Sequence, residues 1–485
     1  RYKKKQLTMA KNQHFDNIAK MSDVDMEAVK RFCKKNATDV DSFLALAYAL
    51  LLSRYTEHNS EMFPENFKRD GEMTVGEYLS QNELPHDFEL LDEYVESYVT
   101  VVGQMLDINR KIKDIHIASD KQLRILDSFN NPESAYDDTQ TVVSLFEQQV
   151  KLHPDKVALV FKDKRFTYKQ VDDMSSNIAK MLAAKGLGHE DVVSIIIPRN
   201  EWMAIASIGV LKAGCAYQPL DPSYPAERLN FMMQDAKVKM LIADASLRDI
   251  VNEYKGDVLF IEDLEKPFTG DVKLQSPEPH SLMTMIYTSG TTGVPKGCQI
   301  EHYNVVAFCH MHHTCHKMNA ERKVAAYASY GFDACIMEMF GPLTIGAELH
   351  IIPEEIRLDL MALNEYFEKN GITDTFMTTQ VAYQFATNFE CKPLNRIQTG
   401  GEKLASMTPP KGYLLCNGYG PSESICYVTN FDVIDDRENI PIGKAQSNVK
   451  CYIVDKFGHR LPVGASGELW IASPQVTRGY LNRPE

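Results

Sequence analysis

Residues 285–297 read MIYTSGTTGVPKG, an apolar segment followed by a loop of glycine, serine and threonine that ends near Lys296. The apolar residues 282–287 have the length and composition of a buried strand. Glycine lets a backbone curl until several N–H groups point into one concavity, and such a concavity binds anions. Hydroxyl groups and a lysine add the side-chain donors that a triphosphate needs. The stretch therefore predicts a phosphate-binding loop, although the spacing of a Walker A loop cannot be aligned with it.

The alternative for this stretch is a surface turn, because clusters of Gly, Ser, Thr and Pro usually form loops. The strand before it and the terminal Pro-Lys-Gly at residues 295–297 favour a phosphate loop. The loop resembles the phosphate-binding signature of the adenylate-forming enzymes, which include amino-acid adenylation domains, acyl-CoA ligases and luciferases. The resemblance implies an α/β fold with a large core of layered, mostly parallel sheets flanked by helices. It also implies that ATP phosphates are bound by Thr288, Ser289, Gly290, Thr291, Thr292, Gly293 and Lys296.

The length, composition and net charge of the chain indicate which kinds of partner it can have. The chain has 485 residues, of which 24% are charged and 44% hydrophobic, as in ordinary globular proteins, and its length predicts about three domains. A formal net charge of −14 argues against a nucleic-acid surface. The longest apolar run, 43–52, is too short for a membrane span, so neither nucleic acid nor membrane is expected as a partner. The ten cysteines lack paired spacing, which favours the reducing cytoplasm.

The N-terminal residues 1–118 are predicted to be mainly helical. Asp39 or Asp41 can cap a helix over 40–55, and residues 94–108 form another apolar-periodic stretch. The order of these elements resembles the second lobe of a condensation domain from nonribosomal peptide synthetases. The segment is much shorter than such a lobe, and the family's His-His-x-x-x-Asp-Gly motif is not found in it. We therefore expect a condensation-like remnant to which no peptide-bond formation is assigned.

Residues 119–137 are predicted to be a linker, because 128–134 is polar and turn-forming. From residue 138 onwards strand-like and helical patterns alternate, which predicts α/β layers with largely parallel sheets. The strand candidates include 157–161, 192–197, 239–242, 349–352 and 451–454. Residues 138–485 are accordingly predicted to be the large core of one α/β domain.

Six motifs in this core resemble those of amino-acid adenylation domains, in the same order. They are FTYKQV at 166–171, LKAGCAYQPLDP at 211–222, the phosphate loop, FDA at 332–334, NGYGPSE at 417–423, and GELWI at 467–471 with VTRGYL at 476–481. The fifth motif has Ser422 where the family usually has Thr. An ordered set of this kind is not explained by chance. It implies that an amino-acid carboxylate attacks the α-phosphate of ATP, releasing pyrophosphate and leaving aminoacyl-AMP.

This chemistry requires that two anions be aligned and that the charge on the phosphoryl oxygens be stabilised. By the resemblance, Glu423 is the Mg²⁺ ligand, and a hard carboxylate oxygen suits that ion. Ser422 is expected at the α-phosphate, Tyr419 on the adenine face and Asn417 at the adenine's polar edge. An ordinary Gly-Pro turn is the alternative for this segment. The other implied nucleotide-binding residues are Gly401, Glu402, Gly418 and Gly420.

Asp333 separates the branches of the superfamily. In amino-acid adenylation domains an Asp at this place pairs with the α-ammonium of the substrate, a charge-assisted contact that a fatty acid cannot make. The alternative is an Asp that only caps a helix.

The family's specificity positions fall on Asp333, Ala334, Met337, Phe376, Gln398, Gly400, Gly418, Cys426 and Tyr427. Most of these side chains are apolar, and no carboxylate or lysine is expected to face the substrate side chain. The pocket therefore favours an uncharged, hydrophobic amino acid. Gln398 is discordant, because it could either hydrogen-bond a polar tip or pack along a wall.

A cluster of soft and imidazole side chains follows the phosphate loop, comprising Cys309, His310, His312, His313, Cys315 and His316. Such a density of ligands can hold Zn²⁺. The family has a helix here, and on a helix only some of these residues share a face. We interpret the histidines as packing or surface groups.

The chain begins at Arg1 and stops at Glu485, just after the sixth motif, so we interpret it as part of a longer protein. The family's ribose-binding Asp, its C-terminal subdomain with a catalytic Lys, and a carrier domain bearing phosphopantetheine are expected beyond Glu485. The chain alone is therefore expected to be poorly active. The expected partners are an amino acid, the downstream carrier domain and a neighbouring condensation domain. The rival interpretations are an acyl-CoA or aryl-acid ligase, and a non-catalytic scaffold remnant.

Overall fold

The structure, a computed structural model, describes residues 24–55, 73–81, 94–130, 133–288 and 294–483. The predicted phosphate-loop residues Ser289, Gly290, Thr291, Thr292 and Gly293 lie outside the described residues. Contacts divide the chain into two units, one of residues 1–130 with 451–471 and one of 131–450 with 472–485. Among the described helices, none is long and apolar enough to cross a membrane.

The helices are α1 (Met26–Asn36), α2 (Val40–Tyr55), α3 (Val75–Gln81), α4 (Val95–Met105), α5 (Asp120–Ser128), α6 (Val142–Leu152), α7 (Tyr168–Ala184), α8 (Trp202–Lys212), α9 (Ala226–Asp235), α10 (Arg248–Val251), α11 (Ile261–Leu264), α12 (His302–His316), α13 (Ala334–Leu343), α14 (Leu360–Asn370) and α15 (Thr379–Asn388). The strands are β1 (Val157–Phe161), β2 (Lys164–Thr167), β3 (Val192–Ile196), β4 (Ala216–Leu220), β5 (Met240–Ala243), β6 (Asp257–Phe260), β7 (Leu282–Thr288), β8 (Lys296–Glu301), β9 (Lys323–Ala326), β10 (Glu348–Ile351), β11 (Asp374–Thr378), β12 (Arg396–Gly400), β13 (Leu414–Tyr419), β14 (Thr429–Val433), β15 (Lys444–Ala445), β16 (Lys450–Val454), β17 (Glu468–Ala472) and β18 (Gly479–Tyr480).

The first unit is built around α2, a helix that is apolar on nearly every side and therefore buried. Asp39 accepts a hydrogen bond from the backbone N–H of Ser42 at 2.9 Å, so Asp39 rather than Asp41 caps this helix. At its other end the buried Arg54 forms an ion pair with Asp455 and donates to the carbonyl oxygen of Ile112 at 2.9 Å. This buried pair joins residues 451–471 to the helices.

Two features of this unit differ from the predicted domain limits. Residues 451–471 were placed in the 138–485 core, but their contacts group them with the N-terminal helices. The predicted linker at 119–137 contains α5, which begins with a capping box between Ser119 and Gln122. Both differences come from tertiary contacts or capping that local composition does not report.

The second unit contains two large sheets. One has the strand order β15-β14-β13-β12-β11-β9-β10-β1-β2, and the other has β18-β8-β7-β4-β3-β5-β6. Pairing is parallel through the middle of both sheets, for example between β11, β12 and β13 and between β3, β4 and β5. Antiparallel strands lie towards the edges. The predicted strands are present, with ends that shift by a residue.

Side chains alternate between two cores across these strands, as the strand period of two requires. On β3, Val193 and Ile195 face the central core, whereas Val192 and Ile196 face an outer one. The central core combines residues of both sheets with α7, α8, α12 and α13, which places these helices between the sheets. Helices α14 and α15 cover the outer face of the larger sheet. The predicted layered, mostly parallel α/β class is confirmed.

The first two motifs shape this fold. In the first, Thr167 and Gln170 form the capping box that begins α7. In the second motif, residues 211–222, α8 ends and Gly214 follows just before β4. Gly214 has φ +76, a conformation that glycine adopts without strain. A Cβ at Gly214 would also lie 2.7 Å from the carbonyl oxygen of Gln275, so the motif has a steric requirement for glycine there.

Candidate active site

The predicted phosphate loop joins two antiparallel strands. Thr288, the last residue of β7, is paired with Lys296, the first residue of β8. The two strand ends that flank the predicted loop therefore lie next to each other, as an anion-binding loop at a strand end requires. The ammonium group of Lys296 lies 5.1 Å from the ring centroid of Tyr480, on β18, which supports it by a cation–π contact.

Glu423 lies on a short 3-10 turn, Ser422–Ser424, and is linked to Lys296 through Tyr480. Its carboxylate accepts a hydrogen bond from the hydroxyl of Tyr480, and its carbonyl oxygen accepts one from the N–H of Thr477 at 2.9 Å. The thiol of Cys298 on β8 contacts the Thr477 hydroxyl at 3.2 Å. The predicted phosphate lysine and the predicted metal carboxylate are thus brought together with Thr477 and Tyr480 from the second part of the sixth motif.

The donor set around Glu423 fits Mg²⁺ bound together with a nucleotide. Among the described residues, no group of three or more His, Cys, Asp or Glu side chains could hold a metal ion by itself. Mg²⁺ is usually bound by one or two carboxylates together with substrate phosphates. A single half-buried carboxylate beside a phosphate loop suits that arrangement.

Asp333 precedes α13, the position at which a capping Asp would lie, yet its side chain makes no capping hydrogen bond to that helix. One carboxylate oxygen accepts a hydrogen bond from the N–H of Cys426 at 3.4 Å. The Ser422 hydroxyl and the N–H groups of Cys426 and Ala334 favour the charged carboxylate and so act to lower its pKa. Burial raises the pKa of the Asp333 carboxyl above its ordinary value, and the negative charge of Glu423 raises it further. The geometry therefore disfavours the helix-cap alternative and leaves a carboxylate in need of a cation.

The backbone next to Asp333 is strained. Ile425 and Cys426 have φ of +55 and +57, a left-handed conformation that β-branched residues such as Ile rarely adopt. This conformation directs the N–H of Cys426 towards Asp333. Strain at consecutive residues beside a half-buried carboxylate is typical of a binding site.

The predicted adenine contacts lie at the end of β13. Tyr419 is 38% exposed, so its ring is accessible for stacking. Asn417 is buried and donates through its amide nitrogen to the carbonyl oxygen of Pro441 at 2.9 Å, which leaves its oxygen for any contact with a base. A Cβ at Gly420 would lie 2.5 Å from Cα of Tyr427, so only glycine fits there. Gly401, with φ +95, and the exposed Glu402 form the turn after β12.

The predicted specificity residues of the sheet share one face. Phe376 on β11 is paired with Gln398 on β12, and Gly400 follows on the same side. Gly418 on β13 lies against them, because a side chain there would collide with the amide nitrogen of Gln398. Met377, Ile397 and Leu415 point to the opposite face and its separate core.

The helical side of the pocket is formed by α13 and the segment after Glu423. Ala334 and Met337 are buried on α13, and Met337 packs in the central core together with Cys426 and Tyr427. The structure thus places the predicted specificity residues on one face of the sheet, on α13 and on the segment after Glu423, and Cys426 of that segment contacts Asp333.

Comparison with known proteins agrees with this geometry. The family described as AMP-binding enzyme matches residues 146–481. The chain belongs to this AMP-binding enzyme family.

The curated relatives of this AMP-binding enzyme include bacitracin synthase 1 of Bacillus licheniformis, 37% identical over 82% of this chain and 8% of the relative. Surfactin synthase subunit 2 of Bacillus subtilis (strain 168) is 39% identical over 71% of this chain and 10% of the relative. The chain therefore spans about a tenth of the length of these relatives. The predicted resemblance to nonribosomal peptide synthetases is confirmed.

Solved structures share the fold. The four-domain nonribosomal peptide synthetase AB3403, bound to AMP and glycine, matches with a TM-score of 0.77 and 18% identity, over 94% of this chain and 44% of that chain. The synthetase FmoA3 in its AMPPNP-bound form matches with a TM-score of 0.74 and 24% identity, over 83% and 46%. The chain therefore shares the fold of these solved structures.

The histidines after the phosphate loop of this AMP-binding enzyme lie on α12 and serve packing. His312 and His316 each form a 2.8 Å hydrogen bond with the hydroxyl of Tyr427, and His313 bonds to the carbonyl oxygen of Gly341 at 2.7 Å. Burial lowers the pKa of His312 to about 3 and that of His313 to about 4. These imidazoles are therefore neutral at pH 7, and their interpretation as packing groups is confirmed.

Tyr480 is the site residue that sequence reasoning missed. It was quoted within the sixth motif but given no role, because nothing in the sequence indicates that β18 pairs with β8. That pairing places Tyr480 opposite Cys298, between Lys296 and Glu423.

A separate groove of about 590 Å³ lies on the α15 side of the larger sheet. Its lining includes Tyr383, Phe389, Met407, Lys411 and Arg437. None of the predicted site residues lines it, so we do not assign it to the nucleotide or the amino acid.

Proposed function

We propose that this chain is the large core of a nonribosomal peptide synthetase adenylation domain, which converts an uncharged, mainly hydrophobic amino acid and ATP to aminoacyl-AMP and pyrophosphate. The observation that carries the proposal is the position of Asp333, a carboxylate within hydrogen-bonding reach of Ser422 and Cys426 and next to Glu423.

The state of Asp333 supports an ammonium-bearing substrate. Its charged form is disfavoured by burial and by Glu423. An α-ammonium placed beside it offsets both effects, because a nearby opposite charge favours the ionised carboxylate. An acyl substrate without an amino group would leave this carboxylate unpaired, which is costly in a buried site.

Residues near Glu423 and at the end of β13 are proposed to bind ATP. Lys296 and Thr288 bind and orient the phosphates, Ser422 donates towards the α-phosphate, and Tyr419 stacks on adenine. Mg²⁺, held by Glu423, neutralises phosphate charge when it is bound. Orientation of the carboxylate towards the α-phosphate is the main contribution of these residues, since phosphoryl transfer depends on positioning and electrostatics.

The wider assembly is also proposed. The relatives include bacitracin and surfactin synthases. The proposed partners are a downstream carrier domain with phosphopantetheine and a neighbouring condensation domain. A condensation-like origin for residues 1–118 is part of this proposal, because the fold match to a four-domain synthetase extends over 94% of this chain. All ten cysteines are free thiols, which supports a reducing compartment such as the cytoplasm.

ATP–pyrophosphate exchange, measured with panels of amino acids, aryl acids and fatty acids, tests this function together with calorimetry of ATP and aminoacyl-AMP analogues. We expect analogues of amino acids to bind and amino acids to stimulate any exchange. Stimulation by acids that lack an amino group would support the acyl-CoA or aryl-acid ligase instead. A chain that binds neither ATP nor any acyl-AMP analogue would support the scaffold.

A further inference from the structure

Gln398 carries an unsatisfied acceptor inside the predicted amino-acid pocket. The residue is 4% exposed, and among the residues that the structure describes none donates a hydrogen bond to its Oε1. Buried side-chain oxygens nearly always have a partner, because a buried acceptor that has lost its contact with water and gained no donor destabilises the fold. An acceptor of this kind in a binding site indicates that a ligand completes it.

The orientation of the Gln398 amide is set by a chain of polar groups on the same sheet face. Its Nε2 donates to Oδ1 of Asn430 at 3.2 Å. Asn430 in turn donates from Nδ2 to Asp432 at 3.5 Å, and Asp432 is paired with Arg396 at 3.0 Å. A carboxylate paired with arginine only accepts hydrogen bonds, so Asn430 must turn its NH₂ to Asp432 and its oxygen to Gln398.

The strand register explains why these residues meet. Gln398 on β12 is paired with Cys416 on β13, which is paired with Asp432 on β14. Asn430 is paired with Gly418, and Gly418 leaves the space in which the Gln398 amide lies. One N–H of its nitrogen is held by Asn430, and the amide atom that is left without a partner among the described residues is its oxygen.

We propose that the substrate's side chain ends in an uncharged hydrogen-bond donor, an N–H or O–H, which Gln398 Oε1 accepts, and that Asn430 is a positioning residue for this contact. The proposal rests on the proposed adenylation function and specifies its substrate class. The apolar Met337 and Phe376 then bind the rest of the side chain, so the substrate is mainly apolar with one polar tip. Carboxamide, hydroxyl and indole side chains belong to this class.

The test uses sulfamoyl-adenosine mimics of aminoacyl-AMP in near-isosteric pairs: threonine with valine, asparagine with leucine, glutamine with methionine, and tyrosine with phenylalanine. In the pair of the size that binds best, calorimetry should show the donor-bearing member binding roughly tenfold to a hundredfold more tightly. Gln398→Met should reduce this ratio to about one or invert it, because it removes the acceptor at similar volume.

Asn430→Ala should lower the same ratio, because the Gln398 amide is no longer held, while ATP affinity stays unchanged. Asn388→Ala is the matched control: it removes an exposed Asn whose side chain donates to the carbonyl oxygen of Gln384 within α15, and it should leave the ratio unchanged. Equal affinities within every pair in the unmodified chain, or tighter binding of the apolar members, would overturn the proposal. Equal loss for both members in Asn430→Ala would overturn the positioning role. If no mimic of any amino acid binds, the proposed adenylation function is itself refuted. That result can be distinguished from the outcomes that refute only the side-chain contact or the positioning role.

Discussion

The hydroxyl of Tyr480 donates a hydrogen bond to the carboxylate of Glu423, while the ring of the same tyrosine lies 5.1 Å from the ammonium group of Lys296. One side chain thus contacts both the predicted metal ligand and the predicted phosphate-binding cation. Because Tyr480 lies on β18, which pairs with β8, it is held by the sheet rather than by a free loop. The carboxylate and the lysine are therefore positioned before the nucleotide binds.

Glu423→Gln should raise the Mg²⁺ concentration needed for ATP binding and slow adenylation, because a neutral amide oxygen replaces a charged ligand. We expect the half-saturating Mg²⁺ concentration to rise on the order of tenfold or more. Calorimetric titration of ATP at several Mg²⁺ concentrations measures this shift. An unchanged Mg²⁺ dependence would remove Glu423 from the metal site.

Tyr480→Phe should shift the Mg²⁺ dependence in the same direction but by less. The substitution keeps the ring beside Lys296 and removes only the hydrogen bond that orients Glu423, and loss of such a bond behind a metal ligand weakens metal binding. The same titration checks it, with the thermal unfolding midpoint as a control for folding. A shift as large as that of Glu423→Gln would mean that Tyr480 does more than orient the carboxylate.

Acid should destabilise the fold through the buried histidines of α12. Burial lowers the pKa of His312 to about 3 and of His313 to about 4, below the ordinary value of 6.5 that the unfolded chain retains. Below pH 6.5 the unfolded state therefore binds protons that the folded state does not bind. As the pH is lowered, the free energy of unfolding falls until the pH reaches the pKa of the folded state. Each histidine should contribute a loss of about 2 kcal/mol between pH 6.5 and pH 5.

His313→Gln tests this dependence, since its amide nitrogen can replace the hydrogen bond to the Gly341 carbonyl oxygen but does not titrate. Denaturant unfolding at pH 7, 6 and 5 should show a shallower decline than in the unmodified chain. The exposed His189 supplies the control His189→Gln, which should leave the decline as it was. An identical decline in both variants would refute a contribution from His313.

Features of this structure that are encoded by neighbouring residues in the sequence could be predicted. The buried α2 and the strands of the core follow from runs of apolar residues, and the motifs around Thr288 and Asp333 follow from their resemblance to one family. The role of Tyr480 and the chain from Gln398 through Asn430 to Asp432 were not predictable, because each arises from strand pairing between distant segments. For the same reason the grouping of residues 451–471 with the N-terminal helices was missed, since it rests on the contact between Arg54 and Asp455.

The most direct test of the account compares two AMP mimics that differ only in the α-amino group, an aminoacyl sulfamoyl adenosine and its desamino counterpart. Calorimetry should show the amino form binding at least roughly tenfold more tightly, because Asp333 makes a charge-assisted contact with its ammonium. In Asp333→Asn, which keeps an acceptor for the N–H of Cys426, this preference should disappear while ATP affinity stays nearly the same. Equal binding of the two mimics by the unmodified chain, or an equal loss of ATP affinity in Asp333→Asn, would contradict the assignment of Asp333 to the substrate ammonium.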